Sequence, residues 1–294
     1  MSWRTVIVSS HAKLDLQVGF MQVRADDGIK RVVLDEIDLL MVESTAVSLT
    51  SALVAELVAR NVRIVFCDKK HFPLGEVVPY HGCHDSSRRL KIQLDWTRCA
   101  RDLVWQRIVK EKIRNQACLL HRVGRRDAED ILVRYAEDVE PGDIRNREGL
   151  AAKQYFAALF GTDFTREKPC DVNAALDYGY QVMLSVFARE ISCEGYITEI
   201  GIFHDNVFNA YNLASDLIEP WRPLVDAVVR DWFSNLDQKF DKDLRRKLVE
   251  LLHEEVQIGG ARQTVINAIV IYTRSVTEAM CLGALDGLCF PKIG

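Results

Sequence analysis

The sequence predicts an α+β protein, with a small N-terminal β-rich domain over residues 1–85 and a larger all-α domain over residues 86–294. Three observations carry that division. Short β-branched or alternating segments dominate about the first 70 residues, the period-2 signature of strands. From Arg88 onward apolar residues recur at helical spacing instead. The charge changes at the same place. Between Arg88 and Arg126 twelve Lys or Arg face three acids, +9 on a chain of formal net charge -4, which leaves -13 on the remainder.

The elements follow in order. Thr5-Val6-Ile7-Val8 is a short β-branched strand, and Leu14, Leu16 and Val18 alternate with Lys13, Asp15 and Gln17. Phe20–Arg24, Arg31–Leu34 and Ile37–Val42 continue as strands. Ser48 or Thr50 caps a helix with Leu53, Leu57 and Val58 on one face, which ends near Asn61. Val62–Cys67 returns to strand, and a last arm runs from Leu74 to Tyr80. Leu94, Leu103, Val104, Ile108, Ile113, Ala117 and Leu120 then give a long amphipathic helical pattern, broken near Gly124. Glu140-Pro141-Gly142-Asp143 reads as a turn, Asn146 as the N-cap of a helix to Phe160, and Gly161 as its stop. Asn173 caps a buried helix from Ala174 towards Gly195. A further helix starts at Asp205 or Asn206 and meets Pro220; the residue before a proline disfavours the α region, so Glu219 falls at a kink or helix end. Helices at 224–234, 241–256 and 263–281 complete the domain.

Hydrophobic content of 48% and charged content of 27% are those of a soluble globular protein. No apolar run approaches the ~18 residues that span a bilayer, and Met1-Ser2-Trp3-Arg4-Thr5 is no signal peptide, so the expected location is the cytoplasm. The cysteines at 67, 83, 99, 118, 170, 193, 281 and 289 include no CxxC pair and read as reduced, mostly buried thiols. Cys67, His71, His81, Cys83 and His84 cluster in sequence, but their spacing matches no common zinc pattern. Loop histidines beside a core strand are the plainer reading.

Glu148, His204, Asp216 and Glu219 carry the most chemistry. Three carboxylates and one imidazole at helix ends suit an octahedral ion such as Mg²⁺ or Mn²⁺, a standard catalyst of phosphodiester chemistry. Each has a plainer reading. A first-turn Glu148 is favoured by the helix dipole alone, and a histidine placed like His204 is more often a hydrogen-bonded loop residue than a ligand. Asp216 and Glu219, three apart, share a helical face and repel unless a cation lies between them; Arg222 or Arg230 would serve there without any metal. The basic stripe reads as a phosphate track or as a solvated helix face, with Arg88, Arg89, Arg107, Lys110, Arg114 and Arg222 as candidate DNA contacts.

Longer stretches settle more. Trp3-Arg4-Thr5-Val6-Ile7-Val8, His84-Asp85-Ser86-Ser87, Asn146-Arg147-Glu148-Gly149, Asn173 to Tyr180, Phe187-Ala188-Arg189-Glu190 and Asn212 to Asp226 stand in one order along the chain. Together they resemble the CRISPR-associated spacer-acquisition integrase known as Cas one, and the wording is similar to the type II branch that accompanies the Cas nine effector. The resemblance implies an N-terminal β-domain that mediates homodimerisation and a helical catalytic domain. It implies a Mg²⁺ or Mn²⁺ ion held by Glu148, His204 and Glu219, with Asp216 as a supporting carboxylate.

The activity so implied is a metal-dependent DNA endonuclease and strand transferase that joins 3′-hydroxyl ends of protospacer DNA to the repeat boundaries of a CRISPR array. Expected partners are double-stranded DNA, a second copy of the chain, a dimer of the small Cas two protein and other type II CRISPR proteins, with no membrane. Two alternatives stay open: a metal-dependent nuclease that hydrolyses branched or damaged DNA, and a non-catalytic DNA-binding scaffold.

Overall fold

The computed structural model describes residues 4–69, 71, 73–77, 83–234 and 238–293. The chain divides into two compact units, Met1–His84 and Asp85–Gly294. Trp3, Tyr80 and His81, which figure in the sequence reading, lie outside the described residues.

The first unit holds two four-stranded sheets. One is built from β2 (Ala12–Gln17), β3 (Phe20–Ala25) and β4 (Gly28–Val33) as an antiparallel meander, with β6 (Val47–Leu49) parallel to β2. The other orders β1 (Arg4–Val8), β5 (Ile37–Val42), β7 (Arg63–Cys67) and β8 (Pro73–Val77), with β1, β5 and β7 parallel. Every residue of the central β5 is buried, which is why Ile37-Asp38-Leu39-Leu40-Met41-Val42 is nearly continuous in apolar character rather than alternating. The parallel pairing of β5 with β7 needs a crossover, and α1 (Ser51–Ala59) lies in that connection. Thr50 caps it by accepting from the Leu53 amide at 3.4 Å. Leu14, Met21, Leu34, Ile37, Leu40, Leu53, Leu57 and Ile64 form the core of this unit. Burial of each such side chain stabilises by about 1.5–3 kcal/mol. The three-residue β6 is too short to have left a sequence signal.

The second unit is helical but for one hairpin. Its helices are α2 (Ser86–Leu94), α3 (Arg98–Arg122), α4 (Arg126–Glu137), α5 (Arg147–Phe160), α6 (Asp171–Cys193), α7 (Asn212–Leu217), α8 (Arg222–Trp232), α9 (Lys242–Glu250) and α10 (Val265–Leu282). The expected single helix over 241–256 stops at Glu250. Beyond it β9 (Glu255–Ile258) pairs antiparallel with β10 (Ala261–Thr264). Gly259 and Gly260 both take positive φ (57° and 83°), the conformation that a two-residue hairpin turn requires.

Two other boundaries differ from expectation. Asn173 lies inside α6 rather than capping it: its side chain donates to the carbonyls of Thr165 and Lys168 and accepts from Arg166. The helix expected from Asp205 starts only at Asn212. Asn206 and Asn209 each turn a side-chain oxygen onto an amide two residues ahead, at 2.9 Å, and so hold residues 206–211 out of the helix.

Among the described residues α10 passes a test of length and composition alone for crossing a membrane, although Arg274 and Glu278 interrupt its apolar run. Much of it is core, with Val265, Ile269, Tyr272 and Val276 buried. The cysteines also depart from expectation. None of the eight forms a disulfide, yet only Cys67 is buried and Cys99, Cys170 and Cys281 are exposed.

The central element is α3, packed against α4, α5, α8, α10 and the 3₁₀ turn Glu219–Trp221. Gly179 of α6 lets α8 approach closely, since a Cβ there would meet Val225 Cγ1 at 2.4 Å. These packings bring the polar side chains of α3, α5 and the 3₁₀ turn together.

Candidate metal centre

Three elements of the helical unit meet on one buried ammonium. Lys112 occupies the inward stripe of α3, one turn after Ile108 and among Asn115 and Gln116, and its side chain is 8% exposed. Its Nζ lies 2.6 Å from Oε1 of Glu148, in the first turn of α5, and in closer ion-pair contact with Oε2 of Glu219. The other oxygen of Glu219 accepts from Arg222 Nε at 2.9 Å, and the Arg222 guanidinium lies over the Tyr180 ring at 4.5 Å. Glu219 Oε2 is buried, and although the ammonium touches it, no well-directed hydrogen bond reaches it.

Local structure fixes both carboxylates. Asn146 adopts a left-handed conformation (φ 50°) and accepts from the Gly149 amide at 3.1 Å. Asp143 accepts from the amides of Arg147 and Glu148 at 2.8 and 3.0 Å. Three of the free amides at the start of α5 are therefore satisfied, and Glu148 leaves a rigid first turn. On the opposite side, the buried Asn115 amide donates to the Pro220 carbonyl at 2.8 Å and to the Pro291 carbonyl at 3.1 Å. That bond ties the turn carrying Glu219 to α3, three residues beyond Lys112.

His204 is held by a different device. Asp216 is fully buried, and its Oδ2 accepts from the amides of Ile202 (2.5 Å) and Phe203 (3.1 Å). Its Oδ1 accepts from the His204 amide (3.0 Å) and from His204 Nδ1 (2.6 Å). Because a carboxylate only accepts, Nδ1 must carry a proton, so in the neutral imidazole the lone pair lies on Nε2. Gly201 makes the close wrap possible: a Cβ there would stand 2.3 Å from the His204 carbonyl and 2.7 Å from Asp216 Oδ2. Trp105 stacks on Phe203 at 4.5 Å and meets the His204 ring edge-on at 5.8 Å.

The electrostatics follow this geometry. Burial pulls the Lys112 ammonium down, but Glu219 and then Glu148 outweigh it and raise it overall. Burial likewise raises Glu219, yet Arg222 and Lys112 reverse the effect and hold it at about 2, firmly ionised. His204 is raised, first by its bond to Asp216, against desolvation, with the charges of Glu219 and Glu148 adding. Burial raises Asp216 in spite of the opposing hydrogen bonds from His204.

Of the residues singled out in the sequence, Glu148 and Glu219 thus share one cation, and His204 lies where both carboxylates bear on its charge. Asp216 and Glu219 do not share a face towards one ion. The helix α7 ends at Leu217, and the two carboxylates turn to different partners. Of the arginines that might neutralise them, Arg222 takes Glu219, whereas Arg230 pairs with Asp231. Arg107, Lys110 and Arg114 lie along one face of α3, with Arg107 and Arg114 exposed, and Arg88 is exposed on α2. Arg89 is engaged by Asp85 and the Tyr196 hydroxyl, and the partly exposed Arg222 by Glu219 and the Tyr180 ring.

Sequence reasoning missed Lys112 and Asp143. Lys112 counted only as one charge of the stripe, yet its position among Ile108, Ile113 and Gln116 places a cation on the buried side of an amphipathic helix. Asp143 stood in a turn signal that gave no hint of its carboxylate capping α5.

Residues 5–257 match the family model described as CRISPR associated protein Cas1. The chain is 33% identical over 271 residues to a CRISPR-associated endonuclease Cas1 of Neisseria meningitidis, covering 92% of this chain and 89% of that protein. Among solved structures it resembles a casposase bound to integration product, with TM-score 0.77 and 17% identity over 97% of this chain and 92% of that one. It also resembles a chain of a Cas6-RT-Cas1–Cas2 complex, with TM-score 0.75 and 18% identity. There it covers 98% of its own length and 36% of that larger chain. With most of its length matched by the family model and a close relative aligned nearly end to end, the chain belongs to the Cas1 family of CRISPR-associated endonucleases.

Proposed function

We propose that this chain is a CRISPR adaptation integrase, a divalent-metal-dependent DNA endonuclease and strand transferase of the type II branch. It joins 3′-hydroxyl ends of protospacer DNA to the repeat boundaries of an array. The observation that supports this best is the pair of carboxylates, Glu148 and Glu219, aimed at one cation position beside an oriented His204. The donor set suits Mg²⁺ or Mn²⁺. It offers two hard carboxylates and one imidazole whose neutral form would present its Nε2 lone pair, and Glu219 Oε2 is buried without a directed hydrogen-bond donor.

Glu148, His204 and Glu219 would hold the ion, and Asp216 would orient His204 rather than ligate. When bound, the ion supplies a Lewis acid for a phosphoryl oxygen and positive charge for a departing 3′-oxygen. The rest falls to the protein. One P–O bond forms to the attacking 3′-oxygen as one to the leaving 3′-oxygen breaks, so the reacting groups must stand in line. The double capping of α5 and the Asn115 bond to the Glu219 turn hold the flanking side chains still for that purpose. The exposed face of Arg107, Lys110 and Arg114 would carry DNA backbone with salt-sensitive, largely sequence-independent affinity.

The β-rich unit would form a homodimer, and two such dimers would flank a Cas2 dimer, with other type II CRISPR proteins as further partners. Action on a genomic array places the protein in the cytoplasm. The test is Glu148→Ala, assayed for strand transfer of 3′-hydroxyl oligonucleotides into repeat DNA with Mn²⁺, alongside DNA binding. Transfer should be lost with binding retained; unchanged transfer would refute the assignment.

A further inference from the structure

The cation already present in the centre is part of the chain, and this has a consequence for how a divalent ion enters. The cluster of Glu148, Glu219, Lys112 and Arg222 carries two negative and two positive charges, so it is formally neutral without any ion. The side chains of Lys112 and Glu219 are 8% and 4% exposed, and water screens little there. A divalent ion added to this arrangement would stand beside an ammonium and a guanidinium, and the neighbouring carboxylate, Asp216, is committed to three amides and His204. One of the two resident cations must withdraw.

We infer that Lys112 is that cation: its ammonium fills the position of the divalent ion in the metal-free protein, so that loading is an exchange in which Lys112 releases Glu148 Oε1 and Glu219 Oε2. The inference rests on the metal-centre reading above. Arg222 is the poorer candidate to leave, because its planar head is fixed twice, by the Nε bond to Glu219 Oε1 at 2.9 Å and by stacking over Tyr180. Lys112 holds its partners with a compact charge on a flexible four-carbon stem. Its grip on Glu219 is made to the oxygen that accepts no directed hydrogen bond. The backbone of α3 need not move, since the buried Asn115 keeps the helix bound to the Glu219 turn. In this role Lys112 is a positioning residue. It keeps two carboxylates ionised and close in the absence of metal, and it sets the threshold for divalent binding by competing for the same oxygens.

The full chain with Mn²⁺ as the probe tests this, by electron paramagnetic resonance of free Mn²⁺ and by melting with and without the ion. Two replacements are compared with the unaltered protein: Lys112→Gln, which keeps amide donors for the carboxylates, and Lys112→Met, which removes them. Without Mn²⁺ both should melt lower. Both should bind Mn²⁺ about tenfold more tightly, equivalent to about 1.4 kcal/mol, and gain more in Tm from the ion than the unaltered protein does. A lysine of purely structural importance would instead lower Tm equally with and without Mn²⁺. That result, or Mn²⁺ binding that is unchanged or weaker in the variant that folds, overturns the exchange. If the unaltered protein binds no Mn²⁺, or binds it equally after Glu148→Gln, the metal-centre reading falls and this inference with it.

Discussion

The two halves of the centre are built on opposite principles. Asp216 spends both oxygens on four directed hydrogen bonds, three to consecutive amides and one to His204 Nδ1. Glu148 and Glu219 instead meet only charged donors, with one hydrogen bond each, from Lys112 Nζ (2.6 Å) and Arg222 Nε (2.9 Å), and Glu219 Oε2 faces the ammonium with no aligned donor. Directed bonds fix orientation and are expensive to rearrange, because each buried partner left behind costs about 1–3 kcal/mol. Charge contacts fall off slowly with distance and tolerate replacement of one cation by another. The contrast separates an orienting half from an exchangeable half, in a site whose residue types alone look alike.

The sharpest test of this contrast compares carboxylates from the two halves. Replacement of Glu219 by alanine removes a proposed ligand, and strand transfer should fall by about a thousandfold or more, the scale of a lost metal contact at a reacting phosphate. Mn²⁺ binding should fall with it. Asp216→Asn should act differently, since an amide nitrogen is set against amide donors. Stability should drop by about 2–4 kcal/mol in denaturant melts, while transfer falls only about 10–100-fold, as for a residue that orients a ligand. If Asp216→Asn abolishes Mn²⁺ binding as fully as the Glu219 variant does, the division between halves is wrong.

A third buried carboxylate, Asp226, belongs with the orienting kind: the hydroxyls of Tyr155 (2.8 Å) and Tyr180 donate to it. Burial raises it to about 6 from the ordinary 3.8, against those hydrogen bonds. The folded protein therefore holds this proton more tightly than the unfolded chain does. The stability so gained is complete below about pH 4 and lost as pH climbs through about 6, a change of about 2–3 kcal/mol. Asp226→Asn should flatten that part of the stability profile. The smallest effect expected is on the DNA face. Arg107→Ala and Arg114→Ala should each reduce the slope of log affinity against log salt by about one unit, with transfer chemistry on bound DNA unchanged.

The legible parts of the fold were those where one local rule acts alone. Ile37–Val42 reads as a strand because nothing in it competes, and Asn146 with Gly161 brackets α5 because cap chemistry is local. The hairpin at Glu255–Thr264 was hidden because Glu254 and Glu255 extend the polar side of α9 in helical register, and only the Gly259-Gly260 pair marks the turn. The start of α7 was misplaced because Asn206 and Asn209 read equally as caps and as turns. At the centre, residue types singled out Glu148, His204, Asp216 and Glu219. Their division of labour was not legible, because it depends on which oxygen meets which donor, most of them 12 to 107 residues apart in sequence. Lys112 was the costliest omission, since a lysine on a helix is ordinarily solvated and only the packing of α3 turns this one inward.

The amide of Asn115 divides its hydrogens between the Pro220 carbonyl, beside Glu219, and the Pro291 carbonyl near the end of the described chain. One residue further on, the Lys292 amide donates to the Gln257 carbonyl of β9 at 2.9 Å. The segment at 291–292 is thus a strap in series with the Glu219 turn, bonded on one side to the hairpin and on the other to Asn115. Load applied to it, as by an insertion at Gly259-Gly260, would reach the seat of Glu219 through these three hydrogen bonds.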